Sequence, residues 1–257
     1  MPLPKTRRPE QIYVSFLKEA PAHAGSGVKS AKFARNFFNT TVDYRFNNFT
    51  YFDHPRIVEA VTDEEKGRMN KLSEEAYDKL FNSKTDAVLA IISNCHAESG
   101  RLEYLRELTK HVNVTKVGAC FGSRRSNEDV EAMIAAHSFV IAFENIQCRD
   151  YATEKFWRIT KDVVPIVLQR RILKDLAPDS SFVAADDFTS PRLLAEHLKT
   201  ASGSREEYRK YFAWRNTHYR LQVDGFCSLC RDLHFKNVSA SDNLDMAEYY
   251  SVSRECE

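Results

Sequence analysis

Thr153, Glu154 and Lys155 stand together in FENIQCRDYATEKFW, residues 143–157. The stretch follows SFVIA (138–142), an apolar run of the kind that fills a buried strand. A chain that leaves its core and at once sets out Glu, Asn, Asp, Tyr, Glu and Lys has crowded polar groups at a strand end. The chemistry these groups suit is recognition of a nucleotide diphosphate. Lys155, on the first turn of a predicted helix, adds positive charge where free backbone N–H groups already favour an anion. Glu154 suits the vicinal hydroxyls of a ribose, and Thr153 can cap the helix or touch a phosphate. On local chemistry alone, capping plus surface charge explains Thr-Glu-Lys equally well.

A second junction carries the same chemistry. The apolar run AVLAIIS (87–93) ends in SNCHAESGRLEYL, which sets Ser93 and Asn94 at a strand end and Arg101 at the next helix start. A guanidinium there could pair with phosphate oxygens bidentately. One arginine at a helix start is ordinarily a solvated charge. Two junctions with matching chemistry point to one site.

The elements that must position them alternate. AVLAIIS, VTKVGAC (114–120), SFVIAFE (138–144), VVPIVL (163–168) and SFVAADDF (181–188) read as strands. RLEYLRELTKH (101–111), NEDVEAMIAAH (127–137), TEKFWRIT (153–160) and PRLLAEHLKTA (191–201) read as helices, and a long charged-aromatic helix starts near Ser204. Such alternation implies a parallel sheet with helices on both faces, whose ligands gather at the carboxyl ends of the strands. Before it, QIYVSFL (11–17) reads as a strand, 22–30 as a loop and 38–52 as β-like. A charged helix is predicted from Asp63 to Leu80 with Thr62 as N-cap. Residues 236–257 read as a loose polar tail.

Composition bounds the function. A chain of 257 residues with net charge +1 offers no electrostatic case for nucleic acid or an anionic membrane, and the cluster Lys5, Arg7, Arg8 reads as surface. No apolar run has membrane-helix length and the start lacks a secretory h-region, so the chain taken alone reads as soluble. Four N-x-S/T sequons, at Asn39, Asn48, Asn113 and Asn237, hint at a secretory route. Of six cysteines, Cys95, Cys120 and Cys148 read as buried thiols beside strands. Zinc on Cys227, Cys230 and His234 lacks a second ligand pair. A thioredoxin-like role for CSLC is weaker still, because the pair does not open a helix after a core strand.

FENxxCxDYxTEKFW resembles the signature of α-1,3-fucosyltransferases, glycosyltransferase family 10. The flanking order SNC…SGRLEYLREL, VIAFEN, VVPIVL, SFVAADDFTSPRLLAEHL, YFAWR and CSLCRDLH is similar to that family across 85–235. YVSFLKEAPAHAG and FFNTTVDYR resemble the end of its acceptor-side domain. The resemblance implies an α/β, GT-B-like architecture: a partial, truncated N-terminal acceptor-side domain (1–62), a helical connector (63–84), a complete Rossmann-like donor domain (85–235) and the tail (236–257). It implies transfer of fucose from GDP-fucose to N-acetylglucosamine of a glycan on a glycoprotein or glycolipid, in α-1,3 linkage with inversion. Arg101 and Lys155 would hold the pyrophosphate, Glu154 the ribose, and Asn145 and Tyr151 would line the donor site. Glu19 would be the general base. No cofactor is required and no Asp-x-Asp triplet occurs, so a divalent metal would be at most stimulatory. The family's setting is the Golgi lumen, behind a membrane anchor.

The chain departs from the family in three places. YRFNNF stands where the family has YRxDSD, Gln169 stands where it has Gly, and the loop from Cys120 to Ser138 is short. Cys227 and Cys230 resemble the family's terminal CxxC, whose partners would lie partly in the segment of the acceptor-side domain that this chain is expected to miss. The donor half matches more fully than the acceptor half, so a truncated relative that binds GDP-fucose or glycan without turnover is the alternative. An unrelated cytoplasmic nucleotide-binding protein is the remote one.

Overall fold

The structure, a computed structural model, describes residues 6, 8–20, 37–46, 51–158, 162–235, 237–239, 242, 244–249 and 256. The predicted loop 22–30 and the Asn48 sequon lie outside them. Contacts divide the chain into two compact units. The smaller draws on the stretches up to His54, Cys148–Tyr151 and from Gln222 onward; the larger draws on Pro55–Gln147 and Ala152–Leu221. The division therefore falls at 54/55, where the sequence suggested 62/63.

In the smaller unit, β1 (Val14–Leu17), β2 (Thr40–Asp43) and β3 (Tyr51–Phe52) form a parallel sheet in that order, with Val14 opposite Thr40 and Val42 opposite Tyr51. Every residue of β2 is buried, as a central strand demands.

The larger unit opens with β4 (Arg56–Glu59) and two short helices, α1 (Asp63–Gly67) and α2 (Glu74–Asn82). One helix was expected here. Thr62 and Glu65 close a capping box on the first, but Ser73 caps a new start by accepting from the Ala76 N–H. Five parallel strands follow in chain order: β5 (Thr85–Ile91), β6 (Val114–Val117), β7 (His137–Ile141), β8 (Val164–Val167) and β9 (Val183–Ala184). In space they run β6-β5-β7-β8-β9. Between them lie α3 (Arg101–Leu108), α4 (Asn127–Ala136) and the single turn α5 (Glu154–Trp157), each joined to the preceding strand by a loop. After β9, α6 (Pro191–Gly203) starts with Pro191 at its first position, and Leu194, Ala195, Leu198 and Ala201 bury one stripe against the core. The long helix expected after Ser204 is instead α7 (Arg205–Arg209) tightening into a 3-10 segment, Lys210–Asn216. The tighter winding turns Phe212, Trp214 and Arg215 inward together. β10 (His218–Leu221) then pairs antiparallel with β4.

The strand order locates the site. From β5 the chain moves outward to β6, then crosses back so that β7 lies on the other side of β5 and continues to β8 and β9. Direction reverses between β5 and β7, and a crevice outside their carboxyl ends is where such sheets bind ligands.

The chain finishes in the smaller unit with α8 (Gly225–His234) and α9 (Met246–Tyr249). Residues 225–234 were expected within the donor domain; instead α8 packs on β2 and β3. CSLC does lie in the opening turns of a helix, with Asp224 as its N-cap. The described part of the expected tail is docked: the Leu244 N–H donates to Phe38 O and Met246 is buried. Cys95, Cys120 and Cys148 are not thiols but are disulfide-bonded, Cys95 to Cys120 and Cys148 to Cys256. Cys227 and Cys230 are free and exposed.

Contact dictates the glycine at the end of β6. Gly118, at the end of β6, has φ +116°, and a Cβ there would stand 2.2 Å from the Ile92 carbonyl oxygen. Gly118→Ala is therefore expected to destabilise the chain by about 2–4 kcal/mol, from backbone strain and overpacking together. Urea denaturation of the full chain measures it. Gln169, by contrast, sits at φ −134°, an extended conformation open to any residue.

Candidate functional site

The crevice between β5 and β7 contains a cavity of about 260 Å³. Its polar lining is Ser93, Asn94, Arg101, Asn145, Glu154, Lys155 and Arg158; Ile91, Ile134 and Ile141 supply an apolar wall. Four of the six site residues read from the sequence, Arg101, Asn145, Glu154 and Lys155, thus share one cavity. Its size is near the lower end of small-ligand sites, roughly 300–1,000 Å³. The 810 Å³ cleft of the smaller unit is larger but carries none of the six; in it Tyr51 donates to Asp232 at 3.0 Å. Burial and that carboxylate push the Tyr51 hydroxyl up to about 12.

Lys155 is held, not loose. Its Nζ lies 2.9 Å from Glu144 Oε2 and 2.8 Å from Thr153 Oγ1, with Glu154 Oε1 at 3.4 Å. Glu144 is 5% exposed and accepts from both the Thr153 N–H and its hydroxyl at 2.8 Å. Burial pushes its carboxyl above the ordinary range; the Lys155 ammonium and the Thr153 hydrogen bonds oppose this without cancelling it. Glu154 behaves differently. Partial loss of hydration opposes its charge, but the adjacent Lys155 ammonium holds its carboxyl below the ordinary range. Because α5 is one turn long, little aligned helix dipole is available, and the site's positive charge comes chiefly from side chains.

Arg101 lines the cavity as part of its wall. It is 2% exposed, and Nη1 and Nη2 donate to the carbonyls of Phe143 (3.0 Å) and Asn94 (2.7 Å). Ser99 donates through Oγ to Glu144 O and through N–H to Asn145 O. The two strand-end loops are thereby laced together. Asn145 presents a buried Oδ1 with no donor among the described residues, an acceptor suited to a ligand hydroxyl or N–H.

Tyr151 and Glu19 belong to the smaller unit. Glu19 is exposed, two residues beyond the carboxyl end of β1, and its Oε2 accepts from the Tyr151 hydroxyl at 3.1 Å. Tyr151 is buried and packs edge-on against Tyr44. Tyr151 is not among the residues lining the 260 Å³ cavity.

Two residues of the site escaped the sequence reading. Glu144 stands in the sequence among the polar groups at the strand end, but nothing local gives it a role, because its partners Thr153 and Lys155 come nine and eleven residues later. Arg158, paired to Glu131 at 2.5 Å, lies four residues after Glu154 and so on its face of the helix. That spacing was available as a signal. Among the described residues no group of His, Cys, Asp and Glu is arranged to hold a metal ion, and no helix is long and apolar enough to cross a membrane.

The chain is 32% identical over 246 residues to alpha-(1,3)-fucosyltransferase fut-5 of Caenorhabditis elegans, covering 89% of this chain and 61% of that protein. It is 38% identical over 160 residues to glycoprotein 3-alpha-L-fucosyltransferase A of Drosophila melanogaster, covering 59% of this chain and 32% of that protein. It therefore spans less than two thirds of the length of either. A crystal structure of an alpha1,3-fucosyltransferase with GDP shares the fold at TM-score 0.59 and 17% identity, over 90% of this chain and 76% of that one. The model of glycosyltransferase family 10 (fucosyltransferase) C-term matches residues 81–248, more than half of the chain, and the chain belongs to that family.

Proposed function

We propose that the chain is an inverting α-1,3-fucosyltransferase that moves fucose from GDP-fucose to N-acetylglucosamine of a glycan. The observation carrying this reading is Lys155 with Glu154, Asn145 and Arg101 around one cavity at the reversal point of the parallel sheet, in a chain of family 10. In it the smaller and larger units are the acceptor-side and donor-side parts of a GT-B-like enzyme. Lys155 meets the diphosphate, Glu154 the ribose hydroxyls, and Asn145 Oδ1 accepts from the donor. Arg101 holds the loops in place by its carbonyl bonds.

The chemistry follows from these groups. Attack on C1 of fucose needs a base for the acceptor hydroxyl, and Glu19, exposed and oriented by Tyr151, takes that part. Negative charge grows on departing GDP as the sugar becomes oxocarbenium-like, and the Lys155 ammonium stabilises it. Two disulfides support folding in an oxidising lumen such as the Golgi.

Calorimetric titration of the full chain tests the donor half. GDP and GDP-fucose are expected to bind while uridine diphosphate binds much more weakly. No binding of either guanosine ligand contradicts the reading.

A further inference from the structure

We infer that Glu144 is the positioning residue for Lys155, fixing the ammonium at the edge of the cavity so that it meets charge as that charge develops on the leaving diphosphate. This deepens the donor-site reading and rests on it. Glu144 is buried at the end of β7, and both of its oxygens are engaged: Oε1 by the backbone and hydroxyl of Thr153, Oε2 by Lys155 Nζ. Thr153 Oγ1 in turn accepts from Lys155 Nζ at 2.8 Å. The ammonium is thus gripped from two sides by groups that are themselves fixed. The lysine side chain keeps 28% of its surface exposed and lines the cavity.

A buried carboxylate is costly unless paired and hydrogen-bonded, and its upward shift reflects that cost. A purely structural pair needs no cavity beside it; here the cation of the pair is the cavity's own lining. A lysine is a point charge on a flexible stem that loses rotamer freedom when fixed. With the stem fixed beforehand, that loss is not incurred in the transition state. The ground-state diphosphate is already charged, so a loosened lysine can still attract it. The effect of the grip therefore falls on kcat more than on KM.

The test is a double-mutant cycle on fucose transfer by the full chain, with unfolding followed in parallel. Glu144→Gln is expected to lower kcat about 10- to 100-fold, in the span of coupling between residues in contact, with KM for GDP-fucose changed by less than about threefold. In a Lys155→Ala background the same change is expected to alter kcat by less than about threefold. Thr153→Ala, which removes the bridging hydroxyl together with the γ-methyl and the helix cap, is expected to act in the same direction and non-additively. Equal losses in both backgrounds would mean a structural role and overturn the inference. So would a lowered KM with unchanged kcat, the signature of simple charge screening. Should Glu144→Gln not fold, Thr153→Ala in the two backgrounds decides by the same criterion. If Lys155→Ala alone leaves transfer unchanged, or the unmodified chain shows no transfer, the donor-site reading fails and this inference falls with it.

Discussion

Lys155→Ala is expected to lower kcat/KM for fucose transfer by about a hundred- to a thousandfold, the usual cost of removing one group that stabilises developing charge. The reason is local. Lys155 lines the cavity with its side chain partly exposed, whereas Arg101 is buried and donates to backbone carbonyls. Steady-state kinetics with GDP-fucose as the varied substrate checks it. Lys155→Arg should recover only part of the loss, because a forked guanidinium does not fit the point where Glu144 and Thr153 hold a compact ammonium. Unchanged kinetics would remove Lys155 from the mechanism.

Glu19→Gln is expected to cost about a hundred- to ten-thousandfold in transfer while leaving the affinity for GDP unaltered. The amide keeps the size and the hydrogen bond from Tyr151 but cannot take a proton. Separate measurement of GDP binding and of glycan fucosylation distinguishes a lost base from a lost donor site. A parallel fall in GDP affinity would argue that Glu19 supports the donor site instead. The residue's placement just past β1, at the carboxyl edge of a parallel sheet, is the same kind of position that Asn145 and Lys155 occupy after β7.

Much of this was legible in the chain because it depends on short-range pattern. Apolar runs alternating with amphipathic helices gave the parallel sheet, and polar groups directly after those runs gave the cavity at their ends. The grouping of Arg101 with Asn145, Glu154 and Lys155 follows from β5 and β7 being neighbours, which a doubly wound order makes natural. What escaped depends on long-range partners. The covalent partner of Cys148 is 108 residues away, and nothing local marks it as other than a buried thiol. The carbonyls of Phe143 and Asn94 that accept from Arg101 are likewise brought to it only by the folded loops, and nothing in the sequence marks them. The helices predicted at 63–80 and after Ser204 broke because Ser73 caps a fresh start and because aromatic side chains needed burial together. Glu144 was hidden for the opposite reason: its burial is made tolerable by Thr153 and Lys155, nine and eleven residues on, and only the folded loop brings them to it.

The most direct measurement is GDP release from GDP-fucose by the full chain, with and without N-acetylglucosamine-terminated glycans, followed by mass analysis of the glycan. The predicted result is release that requires the glycan, matched by a gain of one fucose on it. A chain that binds GDP yet gives no glycan-dependent release would contradict transfer and leave a donor-binding relative without turnover.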